Sequence, residues 1–407
     1  MALRDLDINL TEEQIALRDT IRKFGSDVMR PAGIELDKMA DPADVIAEGS
    51  ILWDVFKQHR ELGLHKRSIP KALGGMAEDV DTMSGLLMAE EMGYWDSGLT
   101  ISFGVDGMPF ALAALFPDPE LQDWARAYVE DTKGEFVGCW AITEPDHGTD
   151  WLLRGEEILG PKGAPNVKAV LKGDEYIING QKSAWVSNGT MATHANLHVS
   201  LDPSKGMAGT GLAIVRLDLP GITRGKPLNK IGQRSLNQGE IFFDDVKIPK
   251  NWMIVPDPAL TEGTGEAGLA QVNGGMGIVF AGLAKAAFDE ALQYSKERIQ
   301  GGMPIFEHQN IKLKLFRMYS MVESARALSR RMALYNASNT PSAPPAVASK
   351  VLSTEYAFKV ASEAIQIFGG NGLSKEYHIE KIFRDARAAM IEDGVNETLS
   401  IAATEYM

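Results

Sequence analysis

Hydrophobic residues in the first third of the chain recur with the period of one helix face. Thr11 and Gln14 have the spacing of a capping box, and Ile15 and Ile21 follow them at helical spacing. The same period predicts further helices over residues 46–62, 81–92, 108–115 and 117–128. Residues 1–135 are therefore predicted to form an N-terminal α-helical domain.

The middle of the chain changes to the shorter hydrophobic period of β-strands. Strands are predicted over residues 167–171, 176–178, 181–186, 195–200, 211–217 and 240–246. Gly173-Asp174 predicts a turn between the first two strands, and Asn179-Gly180 predicts a hairpin turn before the third. Residues 136–254 are therefore predicted to form a middle antiparallel β domain, as a sandwich or a barrel.

Long amphipathic helices return in the last part of the chain. They are predicted over residues 276–299, 309–337, 346–368 and 378–391. Faces rich in Ala, Leu and Met oppose charged faces, which predicts a C-terminal four-helix bundle within residues 255–407. Because helices and strands occupy separate stretches, the predicted class is a multidomain α+β fold, and a Rossmann fold is disfavoured.

Composition and charge exclude several functional classes. The 407 residues carry 41 Lys and Arg against 55 Asp and Glu, and the net charge of −14 disfavours nucleic-acid binding. Cys139 is the single cysteine, so neither an intrachain disulfide nor a cysteine-rich zinc site is expected. The first ten residues lack a signal-peptide pattern, and no run of about 18 apolar residues predicts a membrane span. We expect a cytoplasmic protein without membrane insertion.

Residues 141–150, Ala-Ile-Thr-Glu-Pro-Asp-His-Gly-Thr-Asp, lie at the boundary between the first two predicted domains. This segment is rich in backbone N–H donors and hydroxyls, which suit the polar edge of a heterocycle and an anionic tail. A well-capped interdomain loop is the alternative, and these residues alone leave it open. His147 beside Asp146 and Asp150 raises the idea of a metal site, but no further histidine has ligand spacing, so no metal is expected.

Two further segments carry candidate binding residues. Trp185 and Ser187 follow the predicted hairpin, where an indole can stack on a flat ring and a hydroxyl can bond to the ring edge. A tryptophan of the hydrophobic core is the alternative. Gln366, Gly369 and Gly370 lie in a glycine-rich turn between two helices, where phosphates can approach backbone N–H groups. A glycine helix cap is the alternative there.

Taken together, these segments resemble the acyl-CoA dehydrogenase family of flavoproteins. The resemblance spans nearly the whole chain, from Thr11 to about Thr398. It includes the family's Ile-Pro-x-x-x-Gly-Gly loop, its first signature, its hairpin and its second signature, at residues 69–75, 142–150, 173–182 and 366–385. The second signature fits at every constrained position.

The resemblance implies a homotetramer that binds FAD between the β domain and the bundle. The residues that it assigns to the flavin are Ile142, Thr143, Gly148, Thr149, Trp185 and Ser187. Those that it assigns to the pyrophosphate and adenosine parts of a neighbouring subunit's FAD are Arg298, Gln300, His308, Gln309, Gln366, Gly369 and Gly370. The substrate contacts are expected from Thr149, Asp106, Asp393 and Gly394.

The implied reaction is the α,β-dehydrogenation of an acyl-CoA thioester. A carboxylate removes the α-proton while the β-hydride passes to flavin N5. This chemistry needs a base whose pKa is raised by a dry pocket, and hydrogen-bond donors at the thioester oxygen. The resemblance further implies an electron-transfer flavoprotein as the acceptor.

Departures from the family concentrate at the base. Asp393 falls on the family's glutamate position and Glu392 on the preceding tyrosine position. Aspartate is one methylene shorter, and a misplacement of roughly an ångström can cost ~100-fold in rate. Another branch of the family takes its base from a different helix, but the matching position here is Val272, which cannot ionise, followed by Asn273.

Asp106 offers a second candidate base. It stands among apolar residues where the family's acyl chain runs, and an apolar pocket would raise its pKa. Such a base could remove a proton further along the substrate than the α-carbon, as in the branch that converts cyclic carboxyl-CoA thioesters to conjugated dienes. A helix cap is the alternative for Asp106.

Two alternatives of other classes stay open at this point. One is a protein that binds FAD and CoA without dehydrogenase activity, and the other is a flavin monooxygenase on the same fold. Anaerobic flavin bleaching by acyl-CoA thioesters would separate dehydrogenation from both.

Overall fold

The computed structural model of the chain describes residues 6, 7, 9–152, 160–261 and 265–407. The helices of the first part are α1 Glu12–Phe24, α2 Arg30–Lys38, α3 Ile51–Glu61, α4 Thr82–Trp95, α5 Ser97–Asp106, α6 Met108–Ala113 and α7 Pro119–Glu130. The predicted capping box is confirmed, since the Gln14 N–H donates to Thr11 Oγ1 and the Thr11 N–H donates to Gln14 Oε1. A π-helical segment, Gly25–Met29, joins α1 to α2.

The middle part forms one eight-stranded, largely antiparallel sheet. Its strands are β1 Gly138–Ala141, β2 Lys168–Lys172, β3 Glu175–Lys182, β4 His194–Ser200, β5 Thr210–Arg216, β6 Ile222–Arg224, β7 Ile241–Pro249 and β8 Met253–Val255. The strand order is β6-β7-β3-β2-β4-β5-β8, and β1 pairs with β4 in parallel. The predicted turn at Gly173-Asp174 joins β2 to β3.

The hairpin predicted at Asn179-Gly180 is wrong. Both residues lie inside β3, and the register against β7 shifts between Ile178 and Gly180, which marks a β-bulge. Gly180 has a φ of 134°, and Asn179 Oδ1 accepts a hydrogen bond from the Asp245 N–H at 2.8 Å. Asparagine and glycine thus supply the unusual backbone of a bulge, because β7 pairs along both sides of these residues.

The last part is a helical bundle that packs against the first. Its helices are α8 Gly265–Glu297, α9 Gln309–Ser338, α10 Ala343–Phe368, α11 Ile379–Ala389 and α12 Asn396–Thr404, and a short hairpin of β9 Ile299–Gln300 and β10 Met303–Pro304 precedes α9. Gly93 of α4 and Gly282 of α8 allow the two helices to approach closely, since an added Cβ would lie 2.3 Å from Val279 O and 2.1 Å from Glu90 O respectively. The helical, β and helical parts confirm the predicted fold class.

Helix α8 is long and apolar enough to cross a membrane by length and composition, although no apolar run suggested a span. Within its most apolar 18-residue window, 67% of the helix is buried inside the protein. Phe280, Ala284 and Ala287 of this helix are fully buried in the bundle core. Packing against neighbouring helices therefore accounts for its hydrophobicity.

Candidate active site

The residues between α11 and α12 form a tight turn, the Asp393 turn (residues 390–396). Asp393 and Gly394 have φ angles of 51° and 101°, in the left-handed region that most side chains avoid. The Asn396 N–H donates to the Met390 carbonyl oxygen at 3.2 Å and closes the turn. A Cβ added at Gly394 would lie 2.8 Å from Leu399 Cγ, so glycine is required after the aspartate.

Asp393 is exposed to solvent in this turn, although the protein around it partly desolvates its carboxyl. Burial raises the pKa of Asp393, and the positive charge of Lys350 opposes this rise. The pKa of Glu392 is raised to about 7, first by burial and then by the charge of Asp393. The two neighbouring carboxyls are electrostatically coupled, because the charge of Asp393 contributes to the raised pKa of Glu392.

Glu392 is held by a polar loop that precedes β7. Gln233 Nε2 donates to Glu392 Oε1 at 2.5 Å, and the charge of Lys230 also counteracts the rise in the pKa of Glu392. Lys230 Nζ in turn donates to Gln238 Oε1 at 2.8 Å. The Glu392 carboxyl thus faces hydrogen-bond donors and positive charge, whereas a tyrosine ring would need an apolar surface there.

The loop at residues 141–150 lies between the end of β3 and the Asp393 turn. Thr149 Oγ1 accepts a hydrogen bond from the Val395 N–H at 3.3 Å. The Thr143 carbonyl oxygen accepts one from the Ser183 N–H at 2.9 Å. The contact residues predicted in this loop are Ile142, Thr143, Gly148 and Thr149. The structure therefore places this group one hydrogen bond away from the turn that carries Asp393.

A buried ion pair maintains the shape of this loop. Glu144 and His147 exchange backbone hydrogen bonds at 2.9 and 3.2 Å, which folds the segment into a narrow turn. The Glu144 carboxylate lies 2.8 Å from Lys182 Nζ and accepts the Val167 N–H at 3.1 Å. Lys182 Nζ also donates to the Ile142 carbonyl oxygen at 2.9 Å. Burial lowers the pKa of Lys182 to about 8, and the charge of Glu144 opposes this effect.

The side chain of His147 is engaged within its own segment. Its Nδ1 lies 2.9 Å from Asp150 Oδ2, and its ring stacks on Trp151 with the centroids 5.1 Å apart. Among the residues that the structure describes, no three His, Cys, Asp or Glu residues lie together as a possible metal site.

Trp185 and Ser187 lie directly after β3. Trp185 is 59% exposed, so it is not a residue of the hydrophobic core. Gln238 Nε2 donates to Ser187 Oγ at 3.1 Å and to the Trp185 carbonyl oxygen at 3.3 Å, which fixes this segment. An accessible indole beside an oriented hydroxyl suits the face and the edge of a flat heteroaromatic ring.

The second predicted group of residues surrounds a cavity of about 680 Å³ at the end of the bundle. The predicted residues that line it are Arg298, Gln300, His308, Gln366, Gly369 and Gly370. Gln309 is exposed at the start of α9 and does not line the cavity. Tyr294 and Asn371 also line it and were missed, and Asn371 Nδ2 donates to the Tyr294 hydroxyl at 3.0 Å.

This cavity fits the pyrophosphate and adenosine parts of FAD. A Cβ added at Gly369 or Gly370 would meet no atom within 4 Å, so the glycines leave space that side chains would fill. Gly369 has a φ of 61°, which allows the chain to turn sharply at the end of α10. The exposed guanidinium of Arg298 makes no hydrogen bond or ion pair with the described part of the chain, and guanidinium groups bind phosphate well.

Asp106 has different surroundings. Its Oδ2 lies 2.7 Å from Arg60 Nη2 and accepts the Tyr128 hydroxyl at 2.9 Å, and its Oδ1 accepts the Gly138 N–H at 3.4 Å. Asp106 is fully buried, so burial raises the pKa of its carboxyl while the charge of Arg60 opposes the rise. It ends α5 and is not a helix N-cap. No described residue links it by a hydrogen bond to the Asp393 turn.

The charged residues of the second signature join the bundle to the first part of the chain. Lys381 Nζ lies 2.7 Å from both Asp96 and Asp385, and all three side chains are buried. Arg384 Nη2 lies 2.6 Å from Asp37 Oδ2. These contacts place α11, and hence the Asp393 turn that follows it, at a fixed position relative to the N-terminal helices.

One residue next to Asp393 escaped sequence reasoning. Lys350 lies in α10 and is fully buried, with its Nζ 2.7 Å from the Gly394 carbonyl oxygen. The available signal was a single lysine on a helix face that is otherwise made of small residues, including Ala346, Ser353 and Ala357. Such a lysine needs a specific partner because an unpaired buried charge is costly.

Comparison with known proteins identifies relatives over the whole chain. Profiles described as the N-terminal, middle and C-terminal domains of acyl-CoA dehydrogenase match residues 11–124, 139–246 and 266–405. The chain is 30% identical over 404 residues to the probable acyl-CoA dehydrogenase YngJ of Bacillus subtilis, covering 96% of this chain and 97% of that protein. It is 29% identical to the mitochondrial short-chain specific acyl-CoA dehydrogenase of Rattus norvegicus, over 96% of this chain and 89% of that protein.

Solved structures show the same architecture. The chain superimposes on butyryl-CoA dehydrogenase from Megasphaera elsdenii with a TM-score of 0.84 and 27% identity, over 98% of this chain and 99% of the other. A structure from work on the electron transferring flavoprotein of Acidaminococcus fermentans matches with the same TM-score, identity and coverage.

Proposed function

This chain belongs to the acyl-CoA dehydrogenase family, and we propose that Asp393 is the base with which it removes the α-proton of an acyl-CoA thioester. The chain is an oxidoreductase that acts on CH–CH groups. The observation that carries the assignment of the base is the position of Asp393, an exposed residue in a tight turn that Thr149 contacts, where partial desolvation raises the pKa of its carboxyl. A carboxylate in such a setting is a stronger base than one in water.

The backbone beside Asp393 supplies donors for the thioester oxygen. The N–H groups of Asp393 and Gly394 have no hydrogen-bond partner among the described residues. Donors of this kind stabilise negative charge that develops on a carbonyl oxygen as the α-proton leaves. Thr149 holds the next residue, Val395, and so keeps the Asp393 turn in place.

The residues around the turn fit the family's cofactor. FAD, when bound, accepts the β-hydride. Trp185 would cover one face of its ring and Ser187 would bond to the ring edge, together with the loop that carries Thr143 and Thr149. The ADP part of a neighbouring subunit's FAD would be held by Arg298, Gln300, His308, Gln309, Gln366, Gly369 and Gly370.

The acyl group would lie between α5 and α8, which contribute Ile101 and Met276 to the same hydrophobic cluster. Gly104 of α5 is exposed although its helix is mostly buried, and a Cβ there would meet no atom within 4 Å. Gly268 and Gly275 of α8 share this property. The absence of side chains at these positions favours a branched or cyclic acyl group over a narrow linear one.

The second candidate function is 1,4-type dehydrogenation of a cyclic carboxyl-CoA to a conjugated diene, with Asp106 as base. The raised pKa of the buried Asp106 carboxyl supports it. The contacts with Arg60 and Tyr128 occupy that carboxyl and favour a structural role instead.

Anaerobic flavin bleaching tests these assignments. Butyryl-CoA, a branched acyl-CoA and cyclohexene-carboxyl-CoA are mixed with wild type, Asp393→Asn and Asp106→Asn. We expect Asp393→Asn to bleach at least ~100-fold more slowly with every thioester, and Asp106→Asn to bleach as wild type does. Bleaching of Asp393→Asn at the wild-type rate would refute the assignment of the base. FAD-loaded wild type that no thioester bleaches would indicate a binding module.

The proposal also covers the oligomeric state, the electron acceptor and the cellular compartment of the protein. Exposed apolar residues near the cavity at the end of the bundle support a homotetramer: Ile299, Met303, Leu313, Phe316 and Leu373. The matching structure from work on an electron transferring flavoprotein supports an acceptor of that type. The single cysteine, Cys139, supports a cytoplasmic location. Light scattering of the FAD-loaded protein at four times the chain mass is the expected result for the assembly.

A further inference from the structure

Lys350 is a fully buried cation in direct contact with the Asp393 turn. Its Nζ donates to the Gly394 carbonyl oxygen at 2.7 Å and to Asn396 Oδ1 at 2.8 Å. Asn396 Nδ2 donates to Thr354 Oγ1 at 3.0 Å, one turn further along the helix of Lys350. Helix α10 therefore holds the residues that follow Asp393 in place through the polar side chains of Lys350 and Thr354.

The Asp393 turn needs such support from outside. Asp393 and Gly394 are consecutive residues with positive φ, and non-glycine residues in this region cost of order 1–3 kcal/mol unless their surroundings impose the conformation. Lys350 fixes the turn from the bundle, and Thr149 fixes it from the opposite side through the Val395 N–H. A shift of either support would move the Asp393 carboxyl.

The charge of Lys350 has no carboxylate within 4.0 Å among the described residues, and both of its hydrogen-bond acceptors are neutral. The acidic groups that act on it are Asp393, Glu392 and Glu397, and burial still lowers the pKa of Lys350 to about 8. Among the described residues, Lys350 is the charge that acts on Asp393 to favour its carboxylate form. Burial of an ammonium group has a large desolvation cost in free energy. We therefore expect the buried Lys350 beside the turn to have a specific role.

We propose that Lys350 is a positioning residue for Asp393, which fixes the Asp393 turn through Gly394 and Asn396 and supplies the positive charge that faces the Asp393 carboxylate. This inference rests on the proposed role of Asp393 as the base. It gives helix α10 a role in proton removal, although Lys350 itself contacts neither the flavin nor the acyl group.

Removal of the charge should change the pH profile of flavin bleaching. The active form of Asp393 is the carboxylate, so the rate falls as the pH drops below its pKa. In Lys350→Met, no positive charge from residue 350 opposes the rise that burial causes in the pKa of Asp393. The acid limb should therefore move to higher pH by about one unit or more. Lys350→Arg keeps the charge but displaces the turn, so it should lower kcat with little change of the acid limb.

Lys359→Met is the matched control. Lys359 lies on the same helix and is exposed, with its Nζ 3.0 Å from Glu355 and over the ring of Tyr356. Its replacement should leave the rate and the pH profile as in wild type. An acid limb that stays unmoved in Lys350→Met, with unchanged kcat in Lys350→Arg, would overturn the proposal. If Lys350→Met yields no folded protein, Lys350→Arg decides the question, because wild-type kcat in that variant refutes positioning.

A second measurement is independent of turnover. Carboxyl ¹³C NMR of protein labelled at aspartate follows the titration of Asp393, whose signal is identified by its loss in Asp393→Asn. The signal should titrate at higher pH in Lys350→Met than in wild type and in Lys359→Met. If no acyl-CoA bleaches the wild type, the proposed base role fails, while this titration still tests the contact between Lys350 and Asp393. Identical titration in all three proteins would refute that contact.

Discussion

The Asp106 carboxylate lies 2.7 Å from the Arg60 guanidinium, and both side chains are fully buried. Asp393, by contrast, is exposed and forms no ion pair within 4.0 Å with a described residue, while Lys350 Nζ contacts the carbonyl oxygen of the next residue. Burial raises the pKa of both carboxyls, but only the Asp106 carboxylate of the two is fully buried and ion-paired. The pKa values of the two aspartates are shifted in the same direction, but their surroundings differ, so the two residues call for different experiments.

Asp106→Asn should destabilise the protein. The substitution leaves Arg60 buried next to a neutral amide, with Asp131 at 3.3 Å as its remaining carboxylate partner. Breaking a buried pair typically costs ~3–5 kcal/mol, and Asp131 should keep the loss at or below the lower end of that range. Urea unfolding followed by circular dichroism measures the loss. Asp123→Asn removes an exposed partner of Arg126 and should cost well under ~1 kcal/mol. A stable Asp106→Asn that fails to oxidise cyclohexene-carboxyl-CoA would instead favour Asp106 as a base.

Glu392→Gln should flatten the dependence of stability on pH. The pKa of Glu392 is about 7 in the folded protein and near 4.5 when unfolded. A carboxyl with a raised folded pKa stabilises the fold fully below its unfolded pKa, and this contribution is lost as the pH rises through about 7. Glutamine still accepts the hydrogen bond from Gln233, so the variant should lose less stability than wild type between pH 5 and pH 8.

Urea midpoints at pH 5, 6.5 and 8 test this prediction. Glu405→Gln, an exposed change just after the last helix, provides the control and should retain the wild-type slope. Equal slopes for wild type and Glu392→Gln would contradict the raised pKa of Glu392.

Gly370→Val should weaken FAD binding without unfolding the protein. A side chain at this position points into open space of the cavity, so it should fill volume that the cofactor needs. Overpacking of this kind costs about 1–3 kcal/mol, which corresponds to roughly 5- to 140-fold in affinity. Flavin fluorescence on titration of the apoprotein measures the change. Gly85→Val, in α4, also meets only ordinary contacts and should bind FAD as wild type does.

Lys182→Met should destabilise the loop at residues 141–150. It leaves Glu144 buried without its cation, at a typical cost of ~3–5 kcal/mol, and removes the donor to the Ile142 carbonyl oxygen. The double variant Glu144→Gln with Lys182→Met should be less destabilised than the sum of the single variants. Urea unfolding of all four proteins forms the cycle, and strict additivity would show that the pair does not interact.

The long helices could be predicted from the sequence because their period is local. The helix predicted at 309–337 is Gln309–Ser338 in the structure, and the break after it coincides with Pro341. The bulge at Asn179-Gly180 could not be predicted in this way. The dipeptide favours a hairpin by itself, and only pairing with the distant β7 decides for a bulge.

The candidate site shows the same difference between features that a local pattern predicts and features that depend on distant contacts. Asp393, Trp185 and Arg298 could be predicted as site residues because they stand in or beside recognisable motifs. The contacts of Lys350 and Gln233 with the Asp393 turn could not, because no local pattern records them. Side-chain partners that are distant along the chain depend on the packing of whole helices, which a single sequence does not reveal.

The hydrogen bond from the Val395 N–H to Thr149 Oγ1 joins two parts of the chain that are 246 positions apart. The Asp393 turn is therefore held jointly by the middle and the last parts, so neither part is an interchangeable module. A chimera with a relative that exchanges residues 343–404 alone would combine a foreign turn with a resident threonine. Recombination between such relatives should preserve activity only when residues 141–152 are exchanged together with residues 343–404.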